Sequence, residues 1–423
     1  MSNKLKICLI LSCLLFSMFP AMALKMIAID TSLLVLKNVK VLDLKKGRFS
    51  KESNVAISNG KIVSIKFPVR KIKNSRTLDL EGKYIIPGLI DGHVHVTAMM
   101  HNNMEKTFAN LNYYLQHGIT SVRDAAGDGA ALKKAQQEIL EHTRQGAKVY
   151  FSAFMAGDWY YNRGIGLRKE PYQPWEQLIT PATNLDSAMK AARQSGATGV
   201  KLYHSFDKVL LPKVVEAAKK NGLKVWGHAM MYPATPIEVA SSGVEVISHV
   251  FMLENLIPDK DFHKRKAPFN MKDSVARQFD ITPFCKIMKS RHAILDATLC
   301  VSEVRDPWIF SLLRKIYAQG VQISAGTDEI VDLNSEQPRL LDELSSFVDK
   351  CGFSMIDAIR SATILPAKVI GQENDLGSVE PGKIADLLVL NSDPLADVKS
   401  LGDIHMVIQS GIIQVDRSIR NGH

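Results

Sequence analysis

The sequence predicts a closed parallel (β/α)8 barrel joined to a small β domain assembled from both ends of the chain. Three observations predict it. Strand-like apolar segments alternate with helix-like segments through the middle of the chain. The stretches on either side alternate apolar and polar residues, as half-buried antiparallel strands do. The polar residues of the middle collect where its strands end, on the face where such barrels carry chemistry.

Before the first of these elements lies a segment of another kind. Lys4 and Lys6 precede an apolar run over 7–19, too short to span a bilayer, and Ala21-Met22-Ala23 is a small-x-small cleavage site. Residues 1–23 therefore read as a secretory signal, and the expectation is an exported, periplasmic protein with no stable membrane insertion. Its removal lowers the net charge from +10 to +8. Basic clusters at Lys71 to Arg76 and at His263-Lys264-Arg265-Lys266 are not interleaved with aromatics, so a solvated face is expected rather than a nucleic-acid surface. Cys285, Cys300 and Cys351 are too widely spaced for a disulfide framework or a zinc finger. One disulfide or three buried thiols both fit.

Residues 24–83 read as the amino-terminal part of the β domain. Leu34-Val35-Leu36-Lys37-Asn38-Val39 and Val55-Ala56-Ile57-Ser58 are strand-like, and Asn59-Gly60 is a hairpin-turn signal. Residues 376–423 read as its carboxyl-terminal part, with Pro381-Gly382 turning into Leu387-Leu388-Val389-Leu390 and then Met406-Val407-Ile408. Two such segments bracketing a long middle predict one discontinuous β-sandwich.

The middle, 84–375, is the predicted barrel. Its candidate strands cover 85–95, 119–124, 148–154, 199–203, 224–228, 245–249, 293–299 and 322–327. Helical stretches such as 130–144, 208–221 and 311–319 lie between them, and Gly118, Gly146, Gly222, Gly243 and Gly320 are placed to end helices before strands. An open doubly wound sheet is the alternative. No Gly-x-Gly-x-x-Gly turn follows an early strand, which counts against a dinucleotide fold.

Strand by strand, metal-capable residues land at the carboxyl ends. The first ends in His93 and His95, which sit two apart and so aim both imidazoles at one spot. The fourth carries Lys201, the fifth ends in His228, the sixth in His249 and the eighth in Asp328. Singly, each has an ordinary reading: Lys201 snorkelling to water, Asp328 capping a helix, His228 bonding backbone. Together, six such groups at five strand ends point to a metal centre.

These residues carry a resemblance. The segments Pro87-Gly88-Leu89-Ile90-Asp91-Gly92-His93-Val94-His95, the Lys201 strand, Gly227-His228-Ala229, Ser248-His249 and Ala325-Gly326-Thr327-Asp328 resemble those of the amidohydrolase superfamily of metal-dependent hydrolases. So does Leu376-Gly377-Ser378-Val379-Glu380-Pro381-Gly382-Lys383-Ile384-Ala385-Asp386-Leu387, a tail typical of members with a split β-sandwich. The nearest branch is the imidazolonepropionase-like and prolidase-like group. The resemblance implies two divalent ions, zinc first among manganese, cobalt and iron. It implies Lys201 as a bridging carbamate formed with carbon dioxide, His93, His95 and Asp328 on one ion, and His228 and His249 on the other. Asp328 is then also the general base and acid. An unmodified Lys201 would bond the substrate or pair with Asp328.

The implied reaction is hydrolysis of a C–N amide bond in a small molecule: a cyclic amide, an N-acyl amino acid or a dipeptide-like compound. Lactone, ester or phosphotriester hydrolysis is the enzymatic alternative. A non-catalytic metal-binding or scaffold barrel is the alternative of another class. Prolidase-like relatives typically carry Gly-Gly-His after strand three and Tyr two places beyond the strand-five His; here stand Ala156-Gly157-Asp158 and Met230. Both departures count against cleavage before proline. The strand-three loop is aromatic instead, with Trp159, Tyr160, Tyr161, Tyr172 and Trp175, and reads either as a pocket for a flat or apolar substrate or as loop packing. Arg163, Arg168 and Lys169 lie beside it. Tyr203, His204 and Tyr232 are candidate substrate contacts. Assembly into homo-oligomers is left open.

Overall fold

The computed structural model describes residues 33–68, 75–97, 103–168, 173–257, 279–301 and 307–418, excepting the side chains of 164–168 and 307. The leader read at 1–23, the cluster at 263–266, most of the cluster at 71–76, Lys169, Tyr172 and the Arg168 side chain lie outside that description. No helix among the described residues is long and apolar enough to cross a membrane.

Eight parallel strands form the barrel: Leu89–Val94, Ile119–Asp124, Lys148–Ala156, Gly199–Leu202, Lys224–His228, Val246–Ser248, Ile294–Asp296 and Gln322–Ser324. They neighbour one another in chain order. The eighth meets the first through a short seam, with Gly92 N donating to Ala325 O at 3.0 Å and a parallel bridge between Val94 and Glu329. The predicted helix at 208–221 is observed as Leu210–Lys220, where Leu210, Leu211, Val214, Val215 and Ala218 make one buried stripe of helical period. Asp207 accepts hydrogen bonds from the N–H groups of Val209 and Leu210 at its start. Gly118, Gly222, Gly243 and Gly320 adopt positive φ where helices turn into strands, whereas Gly146 does not.

The terminal sheet runs in the order Ile412–Asp416, Ile404–Gln409, Leu387–Leu390, Tyr84–Pro87, Leu33–Asp43, Ser53–Ser58 and Lys61–Ser64. Most of its pairs are antiparallel; Leu33–Asp43 pairs in parallel with Tyr84–Pro87. The hairpin at Asn59-Gly60 has both residues at positive φ, as a tight hairpin turn needs. The neighbouring inner strands Leu387–Leu390 and Tyr84–Pro87 are almost wholly apolar because both faces are covered. Ile85, Leu387 and Val389 pack into the core of the terminal sheet, whereas Ile86, Leu388 and Leu390 pack into the barrel core.

That two-sided burial corrects one expectation. The run read as a single strand over 85–95 is two strands, Tyr84–Pro87 in the terminal sheet and Leu89–Val94 in the barrel. The break falls at Gly88, where a Cβ would lie 2.9 Å from Thr120 Cβ and closer still to its Oγ1 and Cγ2. An apolar run buried on both faces carries no periodicity that marks such a break. His95 consequently lies just past its strand.

The terminal sheet grips the amino ends of the barrel strands. Lys148, first residue of barrel strand three, donates to both carboxylate oxygens of Asp386 at 2.9 Å, and both residues are buried. Gln409 Nε2 donates to the carbonyls of Thr120 and Gly146. The carboxyl ends are left for other work. Cys285, Cys300 and Cys351 are buried free thiols.

Candidate active site at the carboxyl ends of the barrel strands

The first strand is fully buried, and its last turn is pinned from the eighth-strand side. Asp91 Oδ1 accepts from His93 N at 3.0 Å and Thr327 N at 3.1 Å, and Oδ2 accepts from the Thr327 hydroxyl at 2.8 Å. His93 O in turn accepts from Asp328 N at 2.7 Å. The two strand ends that carry His93 and Asp328 are thus one hydrogen-bonded unit. Asp328 and His249 both adopt left-handed backbone, at φ 54° and 76°. Outside glycine that conformation is tolerated by Asp and His more readily than by most residues, and it persists only where surrounding contacts over-determine it.

The side chains converge. Asp328 Oδ1 is 3.2 Å from His93 Nε2 and 2.8 Å from His95 Nε2, and Asp328 Oδ2 is 3.7 Å from His249 Nδ1. One ligand atom from each of His93, His249 and Asp328 lies within 4.8 Å of the other two. The His228 ring is 4.8 Å from the His249 ring and 4.6 Å from that of Tyr203. Such a set of imidazole nitrogens and one carboxylate, convergent and largely closed from water, fits a zinc-like divalent ion.

Beneath this cluster is a buried network that sequence reasoning missed. Asp296, the last residue of strand seven, presents one oxygen to three partners. His93 Nδ1 lies 2.6 Å away, Arg123 Nη2 donates at 2.7 Å and the Ser248 hydroxyl donates at 2.9 Å. Lys201 Nζ donates to Ser248 Oγ at 2.7 Å. Arg123, on strand two, also donates through Nε to the Gly92 carbonyl and lies over the Trp226 ring at 4.9 Å. The network closes round Gly326, where an added Cβ would be driven into Asp296 Oδ1 and lie 2.7 Å from His93 Cβ. Asp124, ending strand two, accepts from Val96 N at 2.7 Å and so holds the loop that carries His95. The available signal was the same as for the histidines: a polar residue ending an apolar strand.

Electrostatics follow from burial. Desolvation, with the Arg123 charge adding to it, pushes the Lys201 amine down to about 7. Desolvation, then the neighbouring Lys201 charge, holds His228 and His249 well below the ordinary histidine value, in the neutral form that binds metals. For Asp328 desolvation acts upward, but His93, then the hydrogen bonds from His93 and His95, outweigh it and hold the carboxyl well below its usual range.

Of the three candidate substrate contacts, Tyr203 and His204 are half-buried and Tyr232 is exposed. The expected strand-three loop is largely a helix, Asp158–Arg168, which brings Trp159 and Tyr160 against His204 and Tyr203. Trp175 packs against the core instead, close to Gly129. The Arg163 guanidinium lies over the Trp159 ring at 5.4 Å.

Comparison with known proteins places the chain among relatives of this fold. The model of the amidohydrolase family matches residues 84–413. The chain is 25% identical over 380 residues to adenine deaminase 1 of Latilactobacillus sakei subsp. sakei (strain 23K), which covers 86% of this chain and 56% of that protein. It therefore spans little more than half the length of that relative. A crystal structure of a Xaa-Pro dipeptidase with bound methionine superposes with a TM-score of 0.70 at 21% identity, over 90% of this chain and 99% of that one. Ochratoxinase from A. niger gives a TM-score of 0.70 at 18% identity, over 92% and 96%. At such identities the likeness of the structures is one of fold. The match of the family model over most of the chain, on a barrel whose strand ends gather this donor set, shows that the chain belongs to the amidohydrolase family, a family of metal-dependent hydrolases.

Proposed function

We propose that this protein is a metal-dependent hydrolase cleaving a C–N amide bond of a small molecule. The observation that carries the reading is the cluster of His93, His249 and Asp328, with ligand atoms within 4.8 Å of one another at the carboxyl ends of the strands. His95, Lys201 and His228 complete the proposed metal-binding set. Two zinc ions are the proposed complement, and Lys201 is proposed to be carboxylated. When bound, the metal supplies Lewis acidity, lowering the pKa of a water to about 7 and polarising the scissile carbonyl.

The chain's own residues do the rest. Asp328 takes the proton from the attacking water and returns it to the leaving nitrogen, first as base and then as acid. Asp296 fixes His93 by accepting from Nδ1, which leaves Nε2 as the coordinating nitrogen. The Thr298 hydroxyl, 2.9 Å from His249 Nδ1, holds the His249 ring in place. Lys201, with its amine pushed down to about 7, is partly neutral at physiological pH. The neutral amine can add carbon dioxide, forming one N–C bond and releasing one proton. An exported location is proposed on residues 1–23 alone.

A second reading is supported by the 380-residue similarity to an adenine deaminase. Hydrolytic deamination of an amino-substituted heterocycle also breaks a C–N bond with water, and the same residues would serve.

Elemental analysis of protein purified without chelator and with bicarbonate tests the centre. About two ions per chain are expected. About one would confine the centre to a single ion and leave Lys201 bonded to Ser248. Parallel assay on a panel of amides and amino-heterocycles tests the reaction, and metal-loaded protein inert on all of them would overturn it.

A further inference from the structure

From the exposed rim of the site a continuous series of aromatic rings leads down to the histidine cluster. Trp159 and Tyr232 stand at the mouth, 55% and 62% exposed. Between them is His204, whose ring centroid is 4.8 Å from Trp159 and 5.9 Å from Tyr232, nearly parallel to the latter at 26°. Tyr160 lies 6.2 Å from His204 and stacks at 5.4 Å on Tyr203. The Tyr203 ring meets His228 at 4.6 Å, and its hydroxyl is tied to the Ala125 carbonyl at 2.6 Å, which fixes the ring.

Loop packing does not account for the outer members. An aromatic that serves as packing is covered by what it packs against, as Trp226 is. Trp159 and Tyr232 instead leave more than half of their surface in water, a cost that a ligand ring would remove. Burial also holds His204 below the ordinary histidine value, so at neutral pH it offers an uncharged flat face. The Arg163 guanidinium adds a cation at the mouth.

We propose that the site takes substrates bearing a flat aromatic or heteroaromatic ring, which lies against Trp159, His204 and Tyr232. The inference rests on the hydrolase reading for the position of the reacting bond, but ring recognition has its own readout. Aliphatic rings of equal size gain burial there but not the stacking of π faces.

The test uses the full-length, metal-loaded protein. Calorimetry compares 2-naphthoate with decahydro-2-naphthoate, which share the carboxylate and carbon skeleton. Kinetics compares N-benzoylglycine with N-cyclohexanecarbonylglycine. A preference of about tenfold for the aromatic member is expected in both. In Trp159→Leu and in Tyr232→Leu the ratio should fall toward one, with folding checked by circular dichroism. Preferential binding of 2-naphthoate without hydrolysis of any amide would support the ring site while the hydrolase reading failed. Hydrolysis of both amides at equal rates, with equal binding of the two acids, would overturn the ring site and leave the hydrolase reading standing. A tenfold preference that survives both substitutions would also overturn it.

Discussion

Two lysines lie buried in the same barrel, and their surroundings differ. Lys148, at the amino end of strand three, donates to both oxygens of Asp386 and joins the barrel to the terminal sheet. Lys201, on strand four among the site residues, donates to the Ser248 hydroxyl, and burial pushes its amine down to about 7. A buried charge is tolerated where a matched partner meets it, and a buried amine with a neutral partner is driven toward its uncharged form. One end of the barrel uses ionic groups to hold two domains together. The other leaves the Lys201 amine with only a neutral hydroxyl partner, and perturbed groups of this kind are common where sites for chemistry are built.

The comparison is broken most severely by His228→Ala. Turnover should fall to background while the far-ultraviolet circular dichroism and thermal midpoint stay close to the parent. Parental activity would remove His228 from the proposed metal set. Next is Lys148→Met, which leaves the Asp386 carboxylate buried without its cation. A loss of about 3–5 kcal/mol in unfolding free energy is expected by denaturant titration. A loss below about 1 kcal/mol would mean that the two ends do not differ as described.

Asp296→Asn keeps the shape of the network and removes the charge that holds His93. Metal affinity should fall about 10–100-fold, read by competition with a chelating dye. Parental affinity would show that His93 is oriented without Asp296. Lys201→Ala should lower metal occupancy, and Lys201→Glu should restore part of it. Unchanged occupancy in Lys201→Ala would defeat the bridging role.

The most gradual expected effect is a pH slope. Lys201 has its folded value near 7 against an ordinary 10.5, so between these values the unfolded chain binds more protons. Parent stability, measured without metal or bicarbonate, should therefore rise relative to Lys201→Met as pH climbs from about 7 toward 10. Below 7 both states carry the proton, and the parent bears the full cost of burying it. The span is at most a few kcal/mol, at about 1.4 kcal/mol per unit. Parallel profiles would show that the amine is better compensated than its contacts indicate.

Much of this was legible in the chain itself. Alternation of strand and helix, the glycines before strands and the two-residue turn at Asn59-Gly60 are local signals, written in residues close together. The residues at the cluster were legible for the same reason, since a polar group ending an apolar strand of a barrel faces the carboxyl rim. The break at Gly88 was not, because residues 85–90 are apolar and buried on both sides of it, and either register would bury them.

What only the tertiary structure decided is which distant groups meet. Asp296 collects His93, Arg123 and Ser248 from strands one, two and six, and Lys148 finds Asp386 across 238 positions of sequence. Trp159 meets His204 because the helix after strand three folds toward strand four. The sequence by itself determined the elements, their order and the chemical character of their ends, because periodicity and side-chain type act over a few residues. Closure of the barrel determined the partners. Hydrogen bonds and desolvation depend on distances of a few ångströms, and those exist only once the barrel has closed and the terminal sheet has packed against it.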